Sequence, residues 1–258
     1  MAEHAADLRP EMSDAEIGVL RECFSKASSL VEFGSGGSTL LAVRSPSLRR
    51  IWSVESDPAW IERLRANAEV ASAERSGRLH LLAADVGPVG GYGFPVDRSA
   101  QSAWPRYYQA VWDDAAAIEA DLVLVDGRFR VACALEALAR ARPHAILLFH
   151  DFWNRTHYHP VLAFTDWLGS FDSLAILRRK AAIDPVGCDA VRHQYLFGLN
   201  QWATRTVLRL AQAVGQAHGY VGFLPARHRR IGVGAQPEVE AQPHPRRRRG
   251  QAHRFAAE

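Results

Sequence analysis

The stretch Val31-Glu32-Phe33-Gly34-Ser35-Gly36-Gly37-Ser38 constrains the chain more than any other. A short apolar run over residues 30–33 stops at a glycine cluster, and residues 38–43 then read as helix. Glycines at 34, 36 and 37 permit tight turning and close approach of a ligand to the backbone. A strand, a glycine turn and a helix in that order form the opening unit of a parallel α/β sheet. Such sheets bind ligands beyond the carboxyl ends of their strands, where the strand order reverses.

The same alternation runs on through the chain. Upstream, Ser13-Asp14-Ala15-Glu16 is a capping-box pattern, and Ile17, Leu20, Phe24 and Ala27 follow at helical spacing, so a helix ending near residue 28 is expected. Downstream, strands are expected at 51–54, 79–83, 122–125 and 145–149, and helices at 58–71, 107–118, 129–142 and 159–169. The runs 174–177 and 195–199 are strand-like with no helical pattern between them, which predicts an antiparallel pair at one edge. The expected fold is therefore α/β, a doubly wound, mostly parallel seven-stranded sheet with an antiparallel edge pair. A last helix is expected over 201–218.

Charge separates the tail from the rest. Residues 226–258 hold eight Arg and three Glu, a net of +5, so the remainder balances to −2 within a whole-chain charge of +3. That tail, with Pro237, Pro243, Pro245 and the run Arg246 to Arg249, has almost no large apolar residues and is expected to be disordered. Three segments follow: a helical segment at 1–28, a ligand-binding domain at 29–225 and the Arg/Pro-rich tail. Four consecutive arginines offer salt-dependent contact with nucleic acid, but only through the tail, and the acidic domain gives no such reason. No run of eighteen apolar residues suggests a membrane span. The first residues carry no basic-then-apolar leader, and Cys23, Cys133 and Cys188 form neither a disulfide framework nor a paired zinc motif. These features together point to the cytoplasm. Oligomeric state is not legible.

Glu55 lies 21 residues after Gly34, at the end of the second strand, where a carboxylate can reach both hydroxyls of a ribose. Three cofactors could use this arrangement. A nucleoside triphosphate loop needs a lysine before Ser/Thr, and none precedes Ser38 or Thr39. A dinucleotide loop wants a third glycine where Thr39 stands, which weakens a nicotinamide-dependent oxidoreductase. S-adenosylmethionine has no pyrophosphate; it needs a glycine turn beside its amino-acid part, an acid for the ribose and polar contacts for adenine.

At these residues the chain resembles the class I S-adenosylmethionine-dependent methyltransferases. Val31 to Ser38, with Glu32 two residues before the first glycine, is similar to their first motif, Val54-Glu55-Ser56-Asp57 to the second, and Ala84-Asp85-Val86 to the third. The resemblance covers roughly residues 10–200 and implies a Rossmann-like methyltransferase fold over residues 29–225. It implies S-adenosylmethionine as cofactor, held by Glu32, Gly34, Ser35, Gly36, Gly37, Ser38, Glu55, Asp85, Val86 and Asp126.

The loops after strands four and five extend the likeness. Val125-Asp126-Gly127-Arg128-Phe129 and Phe149-His150-Asp151-Phe152 resemble a small-molecule O-methyltransferase subgroup. That implies Asp126, His150 and Asp151 as the catalytic group, acting on a small hydroxylated acceptor. Some related enzymes bind a divalent metal at these two acids; here Asp126 and Asp151, with His150 or Asn154, would suit magnesium or manganese. Without metal, Asp126, Asp151 or His150 could serve as general base. The plainer alternative has Asp126 touching the cofactor's amino group and Asp151 capping the next helix. Base N-methyltransferases commonly carry Asn/Asp-Pro-Pro-aromatic where this chain has Asp126-Gly127-Arg128-Phe129, which argues against that chemistry.

Three further features stand beside the main group. Arg128, Arg130 and Arg155 could clamp an anionic substrate group or be solvated surface charges. His157 and His159 form a weak zinc pattern and fit a loop, with Pro160 opening a helix. The glycine- and aromatic-rich segment Gly87 to Pro95 could close over a ligand or pack as a surface loop.

Overall fold

The computed structural model of the chain describes residues 8–195. The expected strand residues 196–199, the helix at 201–218 and the tail at 226–258 lie outside the described residues.

Helix α1 (Asp14–Lys26) begins at the expected capping box: Ser13 Oγ accepts from the Glu16 amide at 3.2 Å and Glu16 Oε2 accepts from the Ser13 amide at 2.9 Å. Strand β1 (Ser29–Phe33) is buried along its whole length and leads into α2 (Gly37–Val43). Strand β2 (Arg50–Glu55) is followed by α3 (Pro58–Arg65) and α4 (Ala68–Arg75), then β3 (Leu79–Ala83). A long crossover with α5 (Pro105–Gln109) and α6 (Ala115–Ile118) reaches β4 (Leu122–Val125). Next come α7 (Arg130–Arg140), β5 (Ile146–Phe149), β6 (Thr165–Phe171), β7 (Leu174–Arg179) and α8 (Pro185–Tyr195).

The seven strands form one sheet in the order β3-β2-β1-β4-β5-β7-β6, with the first five parallel and the last two antiparallel. Side chains alternate across the strands, so Val31 and Phe33 enter the apolar cluster on one face while Leu30 enters that on the other. Two buried faces explain why the central strands are almost wholly apolar. Phe33 pairs with both Val54 and Val125, and Val125 with Phe149. This register brings the loops that begin at Gly34, Glu55, Asp126 and His150 to one edge, on either side of the point where strand order reverses.

Three elements depart from the expectation. The helix expected over 58–71 is two helices, because Asn67 ends the first turn run and caps the next by accepting from the Glu69 and Val70 amides. The helix expected over 107–118 is broken into α5, a 3-10 turn and α6, with Asp114 capping the last piece. The helix expected over 159–169 is a 3-10 segment, Thr156–Ala163, with Pro160 inside it rather than opening a helix, followed by β6. The antiparallel pair is consequently the hairpin β6–β7, and Tyr195, expected to begin a strand, ends α8 instead. Tertiary pairing decided this: β7 adds to β5 through Phe149↔Ala175 and offers its other edge to the segment directly before it.

Candidate active site

The loops after β1 and β4 touch. Gly34 has φ of +96°, and a Cβ there would lie 2.5 Å from Gly127 Cα, so neither position admits a side chain as the backbone stands. Gly37 is closed from the other side, since a Cβ there would lie 2.2 Å from Arg9 and Pro10 backbone atoms. Gly36 differs: a Cβ there would meet no atom within 4 Å. It faces a cavity of about 770 Å3 whose wall includes Gly34 to Ser38, Glu55, Asp126, Gly127, His150 and Asp151. That volume falls within the about 300–1,000 Å3 usual for small-molecule sites.

The glycine loop is held from beneath by hydroxyls. Thr39 Oγ1 accepts from the Gly36 amide at 2.8 Å and donates to Glu32 Oε2 at 2.6 Å. Ser53 Oγ also donates to Glu32 Oε2, at 2.6 Å, and lies 2.7 Å from Ser35 Oγ. Glu32 is fully buried and does not border the cavity; it acts through the loop it braces. Burial pushes its carboxyl up to about 7 despite the hydroxyl donors. Thr39 fills the place of a third glycine, and its buried side chain is part of this brace.

Glu55 sits at the carboxyl end of β2. Its Oε1 accepts from the Ser56 amide at 2.6 Å and the Asp57 amide at 3.0 Å. Burial raises its carboxyl above the ordinary range against those donors. The glycine-rich segment lies on it: Ser56 Oγ donates to the Gly93 carbonyl at 3.1 Å, and Tyr92 and Phe94 join the cavity wall. Asp85 and Val86 are not brought to the cavity. The Asp85 carboxylate instead accepts from the Gly87 amide at 2.9 Å and forms the next turn, while Val86 is buried with its carbonyl taking the Trp104 indole N–H at 3.1 Å.

The loops after β4 and β5 assemble the charged wall. His150 Nδ1 lies 2.7 Å from Asp126 Oδ1, and its Nε2 lies 3.5 Å from Oε2 of Glu16. Burial works against a charged imidazole, but the Asp126 hydrogen bond and the charges of Asp126 and Asp151 outweigh it and raise the His150 pKa. Arg130 stands between the two acids, 3.1 Å from Asp126 and 3.3 Å from Asp151, and donates to the carbonyls of Gly127 at 3.0 Å and His150 at 2.6 Å. Asp151 (φ +59°) also takes Arg155 at 2.9 Å and Asn154 at 3.2 Å. Burial opposes its charge, yet Asn154 and the cations hold its carboxyl below the usual range. Asp151 therefore does not cap a helix; a 3-10 segment follows it.

At Asp126 and Asp151, where magnesium or manganese is expected, one guanidinium is shared between the two acids, and among the described residues no group of three or more His, Cys, Asp or Glu is placed to hold a metal ion. His157 packs tilted against Tyr158 at 4.3 Å between ring centres, and His159 Nε2 lies 3.1 Å from the Phe152 carbonyl, so the two imidazoles serve local packing.

Two wall or neighbouring residues had no signal in the sequence as site groups. Glu16 was legible only as a capping partner; it also accepts from the Ser173 amide at 2.9 Å and hydroxyl at 2.7 Å, tying α1 to the β6–β7 turn. Tyr107 was one aromatic among several in the crossover; its buried hydroxyl accepts from the Arg128 amide at 3.2 Å and borders the cavity.

No protein-family model and no curated protein matches the sequence. Among solved structures, a methyltransferase-like protein from Silicibacter pomeroyi is 33% identical, covering 74% of this chain and 99% of its own, with a TM-score of 0.65. Two more distant ones are a methyltransferase from Geobacter sulfurreducens (14% identical, 66% of this chain and 80% of that one, TM-score 0.44) and an O-methyltransferase from Bacillus cereus in complex with SAH (14%, 68% and 86%, TM-score 0.44).

Proposed function

The chain belongs to the methyltransferase-like family of its 33%-identical relative, within the class I methyltransferase fold, and from that premise we propose that it transfers a methyl group from S-adenosylmethionine to the oxygen of a small hydroxylated acceptor. The observation that carries this reading is the open space over Gly36 with the buried Glu55 carboxylate on the same cavity wall. The glycine turn leaves room for the cofactor's amino-acid part beside Gly34 to Ser38, and Glu55 suits the ribose hydroxyls. When bound, the cofactor supplies an electrophilic methyl on a sulfonium.

The chain's own residues account for the rest of the chemistry. Asp126 Oδ1 is shared by His150 and Arg130, and no hydrogen bond from a described residue reaches its Oδ2. In this reading Oδ2 takes the acceptor's hydroxyl proton, while His150 and Arg130 hold the carboxylate in place. Arg130 supplies the fixed positive charge at the two acids, so the transfer runs without a divalent metal. Thr39, locked under the loop, disfavours the nicotinamide alternative.

Calorimetry on the full chain tests the reading. S-adenosylmethionine and its demethylated product should bind one site, NAD should not, and subsequent turnover should survive thorough chelation. Absence of binding by folded protein sinks the cofactor; turnover abolished by chelator and restored by magnesium or manganese sinks the metal-free route.

A further inference from the structure

We propose that Arg128 binds an anionic oxygen group of the methyl acceptor, a carboxylate or a phosphate, so that the acceptor is a small hydroxylated acid. The inference deepens the methyltransferase reading and rests on it.

The three arginines of the loops after β4 and β5 are not alike. Arg130 is almost fully buried and committed to Asp126, Asp151 and two carbonyls. Arg155 is committed to Asp151 at 2.9 Å. Arg128 borders the same cavity, but among the described residues its guanidinium makes no hydrogen bond and no ion pair, and its buried Nε has no acceptor. The guanidinium carbon lies 4.0 Å from the centre of the Phe94 ring. Leaving such a group unpaired in a half-buried wall is costly, and a ligand carrying the complementary anion removes that cost. Burial, and then the neighbouring Arg130 charge, press the Arg128 pKa below the ordinary arginine value, which an arriving anion would reverse.

The backbone holds Arg128 ready for that role. Its amide donates to the Tyr107 hydroxyl at 3.2 Å, and its carbonyl accepts from Cys133 Sγ at 3.2 Å. With the guanidinium carbon set over Phe94, the terminal N–H groups, which make no hydrogen bond among the described residues, are left for a bidentate contact with carboxylate or phosphate oxygens. The acids nearby are already engaged: Glu55 Oε1 by the Ser56 and Asp57 amides, and Asp57 by the Ala59 amide it caps.

The test uses the full chain saturated with S-adenosylhomocysteine and three probes: 4-hydroxybenzoate, 4-hydroxyphenyl phosphate and the uncharged 4-hydroxybenzamide. Calorimetry should show one of the two anions binding at least about tenfold tighter than the amide, the value of one good charged contact, and should tell carboxylate from phosphate. Arg128→Met should erase that preference, and Arg128→Lys should keep part of it, both with unchanged affinity for S-adenosylhomocysteine. The proposal is overturned if the wild type shows no anion preference, if the preference survives in Arg128→Met, or if Arg128→Lys, still folded, loses S-adenosylhomocysteine instead. Failure of the wild type to bind S-adenosylhomocysteine at all would bring down the methyltransferase reading together with this one, and is read separately in the first titration.

Discussion

Asp126 Oδ1 and His150 Nδ1 are 2.7 Å apart, joining the loops at the ends of the adjacent parallel strands β4 and β5. The pair is 24 residues apart in the chain and adjacent because Val125 pairs with Phe149. Arg130 shares the same carboxylate oxygen, so two cations meet one acid at the cavity wall. The acids after β4 and β5 are thus paired within the site.

That pairing sets a pH dependence of stability. The His150 pKa is raised above its ordinary value of 6.5, because the Asp126 hydrogen bond and charge outweigh burial. The favourable interaction is therefore complete below the unfolded-state value and is lost as pH rises through the folded-state value. Replacing His150→Gln should flatten the fall in melting temperature between about pH 6 and pH 9. Thermal melts across that range decide it; a His150→Gln curve parallel to wild type would mean the imidazole is neutral throughout.

Glu32 has the same sign from the opposite cause. Burial raises its carboxyl to about 7 from an ordinary 4.5, so the fold favours the protonated form and loses stability as pH rises through that interval. Glu32→Gln should match wild type near about pH 5 and exceed it at pH 8 by up to about 3 kcal/mol. Denaturant unfolding at the two pH values measures this. A variant less stable than wild type at the higher pH would show that Thr39 and Ser53 stabilise the anion more than burial opposes it.

The two glycines of the loop should separate stability from binding. Gly34→Ala places a Cβ against Gly127 at positive φ, and should cost at least about 2 kcal/mol. Gly36→Ala meets open space and should leave the melting temperature nearly unchanged while weakening S-adenosylhomocysteine binding, because the added methyl takes cavity volume. If Gly36→Ala binds as wild type does, the cofactor does not pass over this residue.

Glu55 and Asp151 should divide binding from turnover. Glu55→Ala removes the carboxylate proposed for the ribose and should weaken S-adenosylhomocysteine binding about 10- to 100-fold, the loss of one or two charged hydrogen bonds. Asp151→Ala should leave that binding intact and lower turnover, because Arg130 loses one of the two acids that hold it beside the Asp126 carboxylate. Titration of both variants separates the roles; equal loss of affinity in the two would contradict the assignment.

Much of this was legible in the chain itself. The capping box at Ser13, the apolar strands and the glycine turn after Phe33 each carry their signal within a few neighbouring residues, because backbone conformation and burial on both faces act locally. The order of strand, glycine, helix and strand-end acid likewise placed Glu55, Asp126, His150 and Asp151 together, since parallel pairing puts all those strand ends on one edge. What the chain could not reveal were relationships set by pairing and packing. The hairpin partner of β7 is the preceding segment, residues 165–171, while Tyr195, expected to begin a strand, ends a helix, because strand pairing is a choice between segments of similar pattern. Asp85 is exposed and spends its carboxylate on the Gly87 amide of its own turn, and Glu16 reaches His150 from a helix read only for its cap. Of the three clustered arginines, tertiary structure alone decided which two are paired with acids and which one has no acid partner among the described residues, because the strength of a charge pair depends on distances that sequence order does not specify.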